Sequence, residues 1–350
     1  MDIRQLAERI SGKEKLALAW LFLFTAAAVI AQVQVGQGQQ LLATPEAAYL
    51  PPFVSMDHPL GTDQLGRDVF LYLLHGCRTS WLLAIPPLLG ATAMGIVAGT
   101  GAALLGNTGL RISVTRLLAG GMALTVLVYL LPVIKFWWQD WPTYLQIALS
   151  AAGALVLLRL LFSAKGPENK KKRKEIALPV DEALQKLIGV WASFPKLLLL
   201  LLLTLFTPFS VVSLMVWIAV TYWILPARVA RAMVLQLRQE PYYETAQALG
   251  IPFWRTFTHY LWPSLQGTLL TNFCFAASGL LGIGSTLAYL GIGLPADVPS
   301  WGKMLATARF SLEAWWLIAF PALFLLTSIF SLQSLGHFFS STSRSNSVTK

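Results

Sequence analysis

Apolar residues run along this chain in blocks of about 20, the length that crosses a hydrocarbon core, with shorter polar connections between them. The blocks fall at about 16–35, 80–105, 117–134, 144–162, 187–206, 211–229, 269–290 and 314–335, and each predicts one membrane helix. The short alternating segments of a membrane β-barrel are absent. The pattern therefore predicts an all-α polytopic membrane protein of about eight helices. Gly95 and Gly99 form a small-xxx-small pair in the second block, which predicts close helix packing. The long polar interval of the C-terminal half, Glu240 to Ser264, predicts a short helix at 242–249. A turn at Gly250-Ile251-Pro252 follows, then a second helix interrupted by Pro263. A signal peptide has the same charge order as residues 1–35, and Ala26-Ala27-Ala28 offers small residues. The apolar block is long for a signal sequence, which favours a retained first helix.

Composition strengthens the membrane reading. Of 350 residues, 56% are hydrophobic and 12% charged, about half the charge of a soluble domain. The net charge of +10 could suggest nucleic acid, but the basic residues collect in the connections between apolar blocks. Assigned by the positive-inside rule, Arg4, Arg9, Lys13, Lys15, Arg111, Arg116, Arg159, Lys165, Lys186, Arg228, Arg231, Arg238, Arg255, Arg344 and Lys350 are cytoplasmic. So is the run Lys170 to Lys174, a cytoplasmic stop that also suits lipid headgroups and is not read as a nucleic-acid site. Only Arg67, Arg78, Lys135, Lys196, Lys303 and Arg309 fall elsewhere. Both termini and the Glu240–Ser264 interval are then cytoplasmic. Trp137, Trp138 and Trp141 are placed like an interfacial aromatic belt.

Candidate chemistry is sparse. Cys77 and Cys274 lie in different segments without metal-ligand spacing, and the four His are scattered. Three Asp and one His between Asp57 and Asp68 offer a metal reading, but the Pro and two Gly among them predict turns that scatter the side chains. No metal site and no catalytic residue is predicted. No Walker-type phosphate loop is present, since Gly12-Lys13 is followed by Glu14 and lacks the upstream Gly. The chain is not read as an enzyme, and any ATP would be bound by other chains.

Two stretches carry a resemblance. The segment Asp57-His58-Pro59-Leu60-Gly61-Thr62-Asp63-Gln64-Leu65-Gly66-Arg67-Asp68 closely resembles the H-P-L-G-T-D-x-L-G-R-D signature of the oligopeptide, dipeptide and nickel family of ABC permeases, in its C-type subunit. Tyr72 to Ser80 is similar to that family's continuation. The Glu240–Ser264 interval resembles the coupling loop of ABC importer permeases, E-A-A, three residues, G, nine residues, I-x-L-P. Glu244, Ala246, Gly250 and Pro263 stand at the expected spacings, while Thr245, Tyr260 and Trp262 replace the usual Ala, Ile and Leu. Val180 to Leu184, Ala192 to Pro195, and Gly291 to Arg309 with its Pro299-Ser300-Trp301-Gly302 also match family patterns. The resemblance covers about 56–106 and 180–340, and 107–179 departs from it by two additional apolar blocks.

The resemblance implies a type I ABC importer transmembrane domain, six family helices plus an inserted pair. Residues 1–36 would hold the N-terminus and first helix and 37–79 an external loop. Residues 80–340 would form the permease domain, with the insertion at 107–179 and the coupling loop at 240–264. It implies a multi-pass subunit of the bacterial cytoplasmic (inner) membrane that forms a path for peptides by alternating access. The implied partners are a second permease in a heterodimer, two cytoplasmic ATPases that bind ATP-Mg, and an external solute-binding protein. Nickel uptake stays open as the substrate. A secondary transporter driven by an ion gradient is the reading from another class, although no inverted repeat is visible. A third is a membrane scaffold that uses the inserted pair to bind a partner.

Lys196 follows Pro195 and falls inside the block at 187–206, where a cation costs about 3 kcal/mol on insertion scales. Either it faces the translocation path and meets carboxylates of substrate or partner permease, or the helix starts later and Lys196 lies at the interface.

Overall fold

A computed structural model describes residues 11–36, 44–107, 110–113, 175–205, 210–311 and 313–348. The two inserted apolar blocks, the tryptophan belt at 137–141 and the basic run at 170–174 lie outside the described residues. The chain divides into two compact units, residues 1–103 with 184–350, and residues 104–183.

The larger unit is helical. Its elements are α1 (Gly12–Gly36), α2 (Val69–Leu105), α3 (Val180–Ala192), α4 (Lys196–Leu205), α5 (Val211–Tyr222) and α6 (Ile224–Leu237). After them come α7 (Pro241–Ala248), α8 (Phe253–Thr256), α9 (Trp262–Tyr289), α10 (Trp301–Thr307) and α11 (Trp316–Val348). Among the described residues five helices are long and apolar enough to cross a membrane, and the bent pair α3–α4 makes a sixth. These match the six family-type spans in order.

The helix bounds differ from the apolar blocks for identifiable reasons. α2 starts at Val69, well before residue 80, because Asp68 caps it: its Oδ1 accepts from the Leu71 N–H at 3.0 Å. The polar His75 and Thr79 that masked this turn are buried. The single helix expected at 187–206 is two, bent by 86° at Ser193-Phe194-Pro195. Pro195 has no N–H to donate and pushes Phe194 out of helical conformation. Lys196 therefore begins α4 instead of lying inside a helix. α5 and α6 form one span that pauses at Trp223, since Pro226 cannot bond to the carbonyl of Tyr222.

Two apolar cores hold the unit. One joins Leu83, Leu88 and Ala91 of α2 to Ile188, Leu200, Ile218, Tyr222, Leu280, Leu281 and Leu332. The other gathers Phe24 and Ala28 of α1, Val69, Leu73 and Cys77 of α2, Trp301 and Met304 of α10, and Leu317 of α11. The Gly95/Gly99 pair does pack a helix. A Cβ on Gly99 would lie 2.2 Å from the Ala227 carbonyl oxygen, and one on Gly95 2.5 Å from that of Trp223. α2 and α6 thus touch backbone to backbone.

In the smaller unit, β1 (Leu110–Ser113) and β2 (Glu175–Leu178) pair antiparallel, Leu110 opposite Leu178. The sequence pattern predicted no strand there. The Asp181 N–H donates to the Gly106 carbonyl at 3.4 Å and the Glu182 N–H to Asn107 Oδ1 at 3.1 Å. The two ends of the insertion are therefore side by side.

Candidate functional site

The interval after α6 forms a hydrogen-bonded corner. α7 runs from Pro241 to Ala248, with Glu244 exposed in its first turn, where the helix dipole favours a carboxylate. Its end is a Schellman cap: the Ile251 N–H reaches back to the Ala246 carbonyl at 3.0 Å while Gly250 adopts φ +69°. Ala246 thus contributes its carbonyl to the cap, and Gly250 the left-handed conformation. Tyr243 is buried and anchors the helix, while Leu249 and Trp254 are 72% and 70% exposed. From Pro252 the chain enters α8, passes through a π-helical turn (Phe257–Leu261) and continues into α9. Pro263 does not interrupt a helix, as the sequence suggested. It is the second residue of α9, and the wider π turn before it relieves the clash between its ring and the carbonyl four residues earlier. The corner is further tied at its start, where an Arg238 guanidinium nitrogen donates to the Ala103 carbonyl in the last turn of α2 at 2.7 Å.

The opposite end of α9 carries the other two motifs. With 28 residues, α9 separates them from the corner by about 40 Å at the α-helical rise. Asp63, 2% exposed, accepts from the N–H groups of Leu65 and Arg67 at 2.9 Å and from Arg67 Nε at 2.7 Å. His58 Nδ1 lies 2.9 Å from Asp68 Oδ2. Gly66, at φ +71°, abuts the Thr44 carbonyl, and the Phe53 N–H donates to the Pro59 carbonyl at 3.1 Å. Gly61 sits against Leu50 and the Trp316 indole, which donates to the Thr62 carbonyl at 3.0 Å. The carboxylates and the imidazole are therefore engaged in closing this turn onto the helices.

The turn at Pro299-Ser300 leads into α10, capped by Ser300, which accepts from the Lys303 N–H at 3.3 Å. Trp301 is fully buried and donates to the Leu73 carbonyl at 3.1 Å, with its ring against Gly76. Gly302 allows contact with the Ser285 carbonyl of α9. The Lys303 ammonium donates to the carbonyls of Pro295 and Val298, and burial holds its pKa below the ordinary lysine value. The structure thus brings 58–68 and 299–303 together against α2, α9 and α11.

Lys196 lies apart from both ends. It lines a cavity of about 220 Å³ together with Trp191, Tyr222, Arg228 and Asn272. Its ammonium stands 4.6 Å from the centroid of the Tyr222 ring.

Residues 177–344 match the family described as binding-protein-dependent transport system inner membrane component. The oligopeptide transport system permease protein OppC of Bacillus subtilis is 29% identical over 157 residues, 45% of this chain and 52% of that protein. OppC of Salmonella typhimurium is 27% identical over 158 residues, again 52% of its length. The dipeptide transport system permease protein DppC of Bacillus subtilis is 23% identical over 340 residues, 96% of this chain and 83% of that protein. Residues 177–344 therefore carry the membrane component of a binding-protein-dependent transport system. The chain's matches to the oligopeptide permeases span about half of those relatives' own length.

The corner, the turn and Lys196 are each marked by the sequence pattern, whereas the residues that surround Lys196 are not. Arg228, a cytoplasmic cation by the positive-inside rule, lines the same cavity as Leu88 and Asn272, both in the middle third of long helices. Its position five residues past the Trp223 pause was the available signal. Arg238, also a cytoplasmic cation by that rule, joins α6 to α2 through its bond to the Ala103 carbonyl.

Proposed function

We propose that this chain is one membrane subunit of an ATP-driven importer and forms part of a path for peptides by alternating access. Both termini and the corner at 240–264 face the cytoplasm, and the turn at 57–68 faces outward toward a solute-binding protein. Two ATPase chains supply the nucleotide sites, and a second permease completes the path. The observation that carries this reading is the corner itself. A capped helix with an exposed apolar and acidic face runs through a helical turn into a membrane span, so force applied to α7 moves α9. A floppy connection would dissipate that force. The named relatives, oligopeptide and dipeptide permeases, support peptides as the cargo.

The test is co-purification from detergent-solubilised membranes. The expected result is recovery of two ATPase chains and a second permease with the tagged protein, at fixed stoichiometry. Recovery of this chain without an ATPase, under conditions that preserve its fold, contradicts the reading.

A further inference from the structure

Two cations share the cavity at the α3–α4 bend. Lys196 and Arg228 both line it, and none of its lining residues is acidic. Neither forms an ion pair among the described residues. Trp191 contributes an indole N–H that is buried without a hydrogen-bond partner. Asn272 adds an amide, and Phe273 and Leu88 are among the residues forming apolar wall. The site lies beside the middle third of α2 and α9, two helices long and apolar enough to cross a membrane, and a charged side chain within such spans faces an interior or aqueous path and meets an opposite charge. The only charged groups among these lining residues are two cations, and beside them stand the unpaired Trp191 N–H, the hydroxyls of Thr92, Thr221 and Tyr222 and the Asn272 amide, so the complementary ligand is an anion with an apolar neighbour. Sites for drug-sized ligands run about 300–1,000 Å³. A cavity of about 220 Å³ admits the end of a peptide and not the whole of one.

We infer that this cavity receives the C-terminal carboxylate of the transported peptide, with Lys196 and Arg228 as its cationic partners. Tyr222 holds the Lys196 ammonium under its ring while the site is empty, and the carboxylate then adds charge-assisted hydrogen bonds. Phe273 and the aliphatic wall accept the last side chain. This inference rests on the peptide-import reading above.

The test uses proteoliposomes containing the complete transporter with saturating binding protein. ATP-driven uptake is compared for one apolar tripeptide as the free acid and as its C-terminal amide. The Lys196→Met/Arg228→Met double variant should lose about tenfold in uptake of the acid and leave the amide unchanged. Lys196→Arg, which keeps the charge, should retain most acid uptake. An equal fall for acid and amide overturns the inference, because it marks a general effect on the path. Unchanged acid uptake overturns it too. Loss of the second permease from the double variant also overturns it, and assigns the cations to a carboxylate on that subunit. Failure of the wild-type complex to take up either peptide on ATP addition defeats the import reading itself, and shows before any variant is made.

Discussion

Gly250 carries the tightest constraint of any single residue in the corner, and the constraint is in the backbone. A Cβ there meets nothing within 4 Å, yet φ is +69°. An L-residue in this conformation costs about 1–2 kcal/mol, less for Asn. Gly250→Ala and Gly250→Arg should therefore weaken ATPase association in a pull-down to similar extents, with Gly250→Asn milder. If Arg is far worse than Ala, the side chain blocks the partner directly and the cap is not the cause. Glu244 is exposed, and Glu244→Ala should be milder than either. At the other end, Asp63 is buried with Arg67 as its ion-pair partner. Asp63→Ala leaves Arg67 and two backbone N–H groups without their acceptor and should cost about 3–5 kcal/mol. Thermal unfolding in detergent measures it, and an unchanged midpoint would show that the turn contributes nothing to stability.

At the scale of elements, α2 against α6 is a backbone contact, and one helix supplies both the test and its control. Gly99→Ala drives a Cβ to 2.2 Å from the Ala227 carbonyl, whereas Gly101→Ala meets nothing within 4 Å. Gly99→Ala should destabilise by about 1–3 kcal/mol, and Gly101→Ala should be neutral or stabilising. Equal midpoints for the two variants would mean that the helices separate freely. The small-xxx-small spacing made this contact legible in the sequence, but only the fold supplies the partner. The same division holds elsewhere. Apolar run length revealed the six family-type spans, because burial in lipid demands it. It could not reveal the bend at Pro195 or the early start of α2. In those places a local device, a missing N–H or a capping Asp68, decides the boundary. The metal-like cluster at 57–68 was visible as a composition, while its role in closing a turn depends on contacts with Thr44 and Trp316 from distant parts of the chain. Arg228 reads in the sequence as a cytoplasmic charge, and its place beside Lys196 depends on the bend at Pro195.

For the whole molecule, residues 104–183 form a compact unit of their own. β1 pairs with β2, and the Gly106 carbonyl lies 3.4 Å from the Asp181 N–H, so its two ends already meet. Joining Gly106 to Val180 should leave a complex that assembles and transports at near wild-type rate. Normal assembly with lost transport would place the insertion within the mechanism. The central claim, a membrane subunit driven by ATP through the corner at 240–264, is tested most directly by peptide uptake into proteoliposomes. The account predicts uptake that requires this chain, its second permease, the ATPases, the binding protein and internal or external ATP on the ATPase side, with no response to an imposed proton or sodium gradient. Uptake driven by such a gradient in the absence of ATP and ATPases would contradict it.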